Sequence, residues 1–289
     1  MDGRATAPAA GTVLNALATG TGAAFAIDRD VRAAVHLDPD AEAVVGEVAG
    51  APDADTLLVE RCVSLVAERY GEGEGGTVTT ETEVPLAGGL KSSSAAANAT
   101  VLATLAALDV DPAAAEAPLD REEAARIGVQ AAREAGVTVT GAFDDASASM
   151  LGGLTVTDNA DDELLVRDEV DWDVVVWTPP ERAHSASADV DACRRVAPVA
   201  ETVADLALDG RYAAAMNVNG LAFCAALDFP TDPLLAAYPH AAGASLSGTG
   251  PSYVAVGERD ALAPVADAWS ERPGDTWETT TQHTGAEIT

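Results

Sequence analysis

Lysine is almost missing from this chain: of 289 residues only Lys91 is one, and arginine supplies nearly all the remaining positive charge. Basic residues of any kind are scarce, 16 against 47 acidic ones, for a net charge of −31. A surface so negative excludes nucleic acid or an anionic membrane as the main partner. No apolar run approaches the roughly 18 residues a membrane span needs, and the start of the chain has no basic region followed by an apolar core. The expectation is a soluble protein without a secretory signal. The cysteines, Cys62, Cys193 and Cys224, are few and far apart. They fit neither a metal spacing nor a disulfide framework, which points to buried thiols in a reducing cytoplasm. His36, His184, His240 and His283 show no ligand spacing. Two common catalytic signatures are absent as well: there is no G-x-x-x-x-G-K-[ST] phosphate loop and no G-x-S-x-G nucleophile turn.

The abundant acidic residues are spread through every segment, and hydrophobic periodicity survives between them, so they describe a folded acidic surface and not a disordered tail. Such a surface suits molar salt, where the Debye length is about 3 Å and local donors decide anion binding. The chain is long enough for two cores. Strand and helix patterns alternate irregularly in both halves, which predicts an α+β fold, with a boundary near Thr157–Asp162 separating residues 1–157 from 158–289. Within the first half the pattern predicts a strand at Gly3–Ala10, a hairpin turning at Arg29-Asp30, helices at 56–70 and 121–135, and a loop from Val137 to Met150.

One stretch stands apart. Pro85 to Ala96, PLAGGLKSSSAA, joins a Thr/Val-rich strand pattern to a long Ala-rich helix pattern beginning at Ser92. The first amide N–H groups of a helix lack partners within it, and the helix dipole places partial positive charge there. Gly88 and Gly89 allow close approach of a phosphate, Ser92, Ser93 and Ser94 offer hydroxyls, and the lone Lys91 stands at the mouth. By itself a glycine turn before a serine-capped helix is also ordinary punctuation. A second glycine-rich turn, ASLSGTGP, occupies 244–251, and the segment VTVTGAFDDASASM carries adjacent carboxylates, Asp144 and Asp145.

Taken in order, these stretches resemble the GHMP superfamily of small-molecule kinases. PLAGGLKSSSAA is similar to its P-x-x-x-G-L-x-S-S-A-A motif with one extra serine, and SLSGTGPS to its C-terminal glycine-rich motif. The N-terminal PAAGTVLNALATGTGAAFAI, with KSSSAAANA and TGAFDDASAS, resembles the archaeal type of shikimate kinase. The resemblance implies a two-domain fold, an N-terminal half like ribosomal S5 domain 2 and a ferredoxin-like C-terminal half. It implies transfer of a phosphoryl group from ATP, with Mg²⁺, to the 3-hydroxyl of shikimate. On this resemblance Pro85, Leu86, Ala87, Gly88, Gly89, Leu90, Lys91, Ser92, Ser93, Ser94 and Ala95 bind ATP. Ser93 or Ser94 reaches the metal, joined by Glu134, which lies ten residues before Asp144. Asp144 is the expected base, with Lys91 assisting, and Asp145 is the other candidate. Arg4, Asn15, Thr140, Arg194 and Arg195 are available for the substrate carboxylate and hydroxyls. Another kinase of the superfamily, homoserine kinase foremost, or a non-catalytic nucleotide-binding relative stays open at this level.

Overall fold

The computed structural model describes residues 1–180 and 188–289; His184 lies outside them. The first sheet is built on two long strands, β1 (Asp2–Leu14) and β2 (Thr21–Asp38), paired antiparallel. The expected hairpin at Arg29-Asp30 does not form. Instead β2 runs straight through, and its register against β1 slips from Pro8↔Asp30 to Ala10↔Ala26. The polar pair therefore marks a bulge, which bends the strand so that its two ends take different partners. Residues 31–38 pair with β4 (Gly75–Thr82), whereas residues 21–25 pair with β5 (Leu154–Asp158). β3 (Val44–Val48), which the sequence pattern did not reveal, adds to β4 in parallel, and β6 (Glu163–Asp168) adds to β5.

Helices α1 (Leu57–Tyr70), α2 (Ser92–Ala107), α3 (Arg121–Glu134) and α4 (Phe143–Leu151) accompany this sheet. α3 starts where Asp120 caps it, accepting the Glu123 N–H at 2.8 Å. α2 is the central helix. Twelve of its sixteen residues are buried, mostly Ala, Val, Leu and Thr, so it is apolar nearly all round and sandwiched between the sheet and its fellow helices.

A second, four-stranded antiparallel sheet runs β10 (Asp275–Thr280), β7 (Asp173–Thr178), β9 (Tyr253–Gly257), β8 (Gly243–Leu246). It packs with α5 (Val190–Arg195), α6 (Ala197–Leu208), α7 (Tyr212–Leu227), α8 (Asp232–Ala237) and α9 (Arg259–Ser270). The single helix pattern at 188–208 breaks at Val196, because Pro198 has no N–H to donate and sits in the first turn of a new helix. The chain then returns to the first sheet: Thr281 bridges to Ile27, and β11 (Glu287–Ile288) pairs with β1. Arg121 fastens this return by donating to the carbonyls of Thr284 and Ala286 and to that of Met150 at the end of α4.

The polar stretch Thr157–Asp162 turns β5 into β6 inside the first sheet. Both strands of that hairpin belong to the N-terminal layer, so we propose that the two units divide after β6, near 169–172.

Candidate active site

The Pro85–Ser94 loop gets its shape from backbone dihedrals. Ala87, Gly89 and Lys91 all have positive φ, at 56°, 80° and 64°. Left-handed residues alternating with ordinary ones turn successive N–H groups toward one side, making a concavity suited to an anion. Two of the three carry a Cβ, so this conformation costs free energy and depends on outside support. The support comes from the second glycine turn. The Ser252 N–H donates to the Gly88 carbonyl at 3.3 Å, and the Ser247 hydroxyl donates to the Gly89 carbonyl at 2.9 Å. A Cβ on Gly89 would lie 2.4 Å from the Ser247 carbonyl oxygen, so glycine is required here by space as well as by φ. The second turn is itself docked on the end of β1: Gly248 N–H donates to Thr12 Oγ1 at 2.7 Å and Asn15 Nδ2 to the Gly248 carbonyl at 2.8 Å.

Lys91 precedes the first residue of α2, and its ammonium reaches Asp145 Oδ1 at 2.7 Å. Both side chains are largely buried, 8% and 14% exposed. Asp145 is consequently pushed up to about 7, by burial first and by the neighbouring Asp144 second, with Lys91 opposing. Both carboxylates sit in the first turn of α4, where the helix dipole favours them. The segment expected as a loop from Val137 to Met150 thus contains a helix, started by Ala142 in the left-handed region at φ 55°. The helix is only nine residues long and begins with two adjacent carboxylates after a glycine, which reads as a loop.

Asp144 is 4% exposed and closely held. One carboxylate oxygen accepts from Asn159 Nδ2 at 2.7 Å, and the backbone N–H of Asp144 donates to Asn159 Oδ1 at 3.1 Å. On its other side lies Gly22, where a Cβ would fall 2.5 Å from Asp144 Cγ. Asn15, Lys91, Thr138, Thr140, Asp144, Asp145 and Gly248 line one cleft, so the start of α2, the acids of α4 and the second glycine turn face a common space. Thr138 and Thr140 form its lip, their hydroxyls accepting from the N–H groups of Gly141 and Ala142 at 3.1 and 3.3 Å.

Other expected site residues lie elsewhere. The Glu134 carboxylate is taken by Arg61 and by Gln130 Nε2, the latter at 2.7 Å, and does not line the cleft. Glu134 is the last residue of α3, separated from Asp144 by the turn at 135–142, and its carboxylate pairs with Arg61 outside the cleft. Among the described residues no group of three His, Cys, Asp or Glu side chains could hold a metal ion. The hard-oxygen donors near the loop are hydroxyls, with Ser93 exposed, Ser94 half-buried and Ser92 buried. Of the candidates for the substrate, Asn15 and Thr140 line the cleft; Arg4, Arg194 and Arg195 do not, and Arg194 pairs with Asp191 at 3.1 Å. Lys91 is the cation lining the cleft. Asn159 was not legible beforehand, because TDNADD resembles a linker and nothing local connects it to Asp144.

Residues 57–153 match the family described as GHMP kinases N terminal domain. A shikimate kinase of Halobacterium salinarum is 68% identical over 289 residues, covering 100% of both chains. One from Methanosarcina mazei is 46% identical, covering 99% of this chain and 96% of the relative. Among solved structures, homoserine kinase from Cytophaga hutchinsonii superposes with a TM-score of 0.76 at 18% identity, covering 100% of this chain and 97% of that one. Methanococcus jannaschii mevalonate kinase gives 0.75 at 12% identity, covering 97% and 98%. At such identities these two report the shared two-domain fold and not a shared substrate. Full-length identity to the archaeal enzymes goes further: the chain belongs to the archaeal shikimate kinase family, of the GHMP superfamily.

Proposed function

We propose that this protein transfers the terminal phosphoryl group of ATP to the 3-hydroxyl of shikimate, giving shikimate 3-phosphate and ADP. The observation that carries the reading is the meeting of Lys91, Asp144 and Asp145 in one cleft at the start of α2. Phosphoryl transfer requires little covalent chemistry from the protein and much positioning and charge neutralisation. The left-handed turns of the Pro85–Ser94 loop aim main-chain N–H groups at the phosphates, and Lys91 adds a cation beside them. Asp144 orients the acceptor hydroxyl and takes its proton as the new bond forms, a role that contributes typically about 10²- to 10⁴-fold. Asp145 serves Lys91 as counter-ion, which supports Asp144 as the base. Asn15, Thr138 and Thr140 offer partners for the remaining hydroxyls of the substrate.

The donor set fits a hard cation that arrives with the nucleotide. Mg²⁺ keeps several waters and is held largely by the substrate's phosphates, so a hydroxyl of Ser93 or Ser94 is the protein ligand this chain would offer it. Bound there, it would neutralise phosphate charge. The buried, free thiols agree with a cytoplasmic setting, and no helix among the described residues is long and apolar enough to cross a membrane.

The test is ADP release in molar salt with shikimate, homoserine and mevalonate offered separately. Turnover on shikimate alone is expected. Turnover on homoserine or mevalonate but none on shikimate would overturn the substrate and leave the kinase; no phosphorylated product from any would overturn both.

A further inference from the structure

Asn159 sits at the turn between β5 and β6, 2% exposed, and is fixed on every side. Its N–H donates to the Gly20 carbonyl at 3.0 Å, and its own carbonyl accepts from Arg133 at 3.2 Å. Arg133 in turn grips both carboxylate oxygens of Asp162, at 2.6 and 2.7 Å, and the Thr140 carbonyl at 3.3 Å. The amide orientation is set by chemistry. Oδ1 accepts from the Asp144 N–H at 3.1 Å and from the Thr157 hydroxyl at 2.7 Å, which leaves Nδ2 facing the Asp144 carboxylate at 2.7 Å. Flipping the amide would set oxygen against carboxylate and nitrogen against N–H, losing both bonds to Asp144.

We propose that Asn159 is a positioning residue for the reaction, holding the Asp144 carboxylate at the angle at which it meets the acceptor hydroxyl. The proposal rests on the reading of Asp144 as the base. Two features of the bracket support it. A neutral donor fixes a carboxylate without forming the ion pair that would compete with the incoming hydroxyl, as Lys91 does with Asp145. The bracket also closes from the opposite side to Gly22, so the carboxylate is confined between an amide and a bare Cα. A purely structural role is the competing account: Oδ1 caps the first-turn N–H of α4, where Ala142 has no side chain to do so.

Asn159→Asp separates the two. It is nearly isosteric and keeps the accepting oxygen, so a capping role would survive it. The donor facing Asp144 is replaced by a second carboxyl group, and two carboxyls this close share a proton. Asp145, Lys91, Asp158, Arg133 and Asp162 are the other charged groups around this position, from α4, the start of α2, β5, α3 and the turn itself. At pH 8.5 turnover on shikimate should fall at least about tenfold with KM for ATP kept, the loss should shrink toward pH 6 as the new carboxyl regains a donor proton, and melts compared at pH 6, where the carboxyl pair holds that proton, should stay near the parent. Wild-type turnover across that range would overturn the proposal. Should this variant fail to fold, Thr157→Val decides. It removes the hydroxyl that orients the amide, and a loss of a few-fold in kcat with unchanged KM values supports positioning, whereas a wild-type kcat refutes it. Asp144→Asn, run alongside, distinguishes the levels. If it remains active, the assignment of the base fails; if it is inactive while both other variants run at full rate, the assignment stands and only positioning by Asn159 fails.

Discussion

Replacing Lys91 by Met keeps the length of the side chain and removes its charge, which isolates what the buried pair with Asp145 contributes. At the 2.7 Å separation the gross attraction is about 6 kcal/mol for an effective dielectric of 20, offset by desolvation of two largely buried ions. The net worth of the pair is therefore small, but breaking one half of it costs about 3–5 kcal/mol because a carboxylate is left buried without a partner. Asp145 can escape that cost by taking a proton. Burial and Asp144 already raise its pKa from 3.8 to about 7 against the pull of Lys91, and without the lysine it rises further. A carboxyl whose folded pKa lies above its unfolded one holds its proton better in the native state. Its contribution to stability is thus intact below the unfolded value and lost as pH climbs through the folded value. Thermal melts in molar salt should show Lys91→Met close to the parent at pH 6 and lower by roughly 5–10 °C at pH 8.5. Adding Asp145→Asn should recover stability at both pH values, since a neutral pair leaves no orphaned charge, yet turnover should stay at least about 10²-fold down for want of the cation beside the phosphates. A pH-independent stability gap that the double variant does not close would refute the account of the pair. Parent-level turnover in Lys91→Met would remove Lys91 from the catalytic machinery.

Three further outcomes follow from the same geometry. Gly22→Ala places a Cβ 2.5 Å from Asp144 Cγ, so the carboxylate must move by about 1 Å, and kcat should fall about 10²-fold with KM for ATP unchanged; an unaffected kcat would show that Asp144 tolerates displacement. Glu134→Gln weakens a surface pair with Arg61 and should alter turnover less than about twofold and stability by under about 1 kcal/mol; a large drop in turnover restored by excess Mg²⁺ would return Glu134 to the metal. Dilution from molar salt to about 0.1 M should lower the melting temperature through self-repulsion of a chain of net charge −31, and an unchanged melt would contradict that.

The turn before α2 was legible because its signals are local: a glycine pair, serine at a helix start, and a single lysine in an acidic chain; the left-handed conformation of Ala87 and Lys91 carried no such signal. Strand β5 and helices α1 and α3 were legible from periodicity and from caps such as Asp120, and α2 from its Ala-rich composition. Features that depend on contacts distant in sequence were not. The bulge in β2 looks like a turn until β5 and β4 claim opposite ends of the strand. Helix α4 is short, and its first turn is stabilised by Asn159, fifteen residues further along, and not by a residue of its own. Asn159 itself lies in a polar run whose composition suits a linker equally well, and only the pairing of β5 with β6 brings it under Asp144. Glu134 was expected from the family resemblance and its spacing to Asp144; it ends α3 paired with Arg61, outside the cleft lining.

The return of the last residues to β1, fastened by Arg121, also bears on how the protein is made. A nascent chain stopping short of residue 281 would have synthesised every part of the phosphate loop and both α4 acids, yet β1 would still present a bare edge and three carbonyl contacts of Arg121 would be reduced to one. The edge of β1 at Ala5 and Thr6 is therefore closed only once residues 287 and 288 are in place, and shorter translation products would carry that edge unpaired.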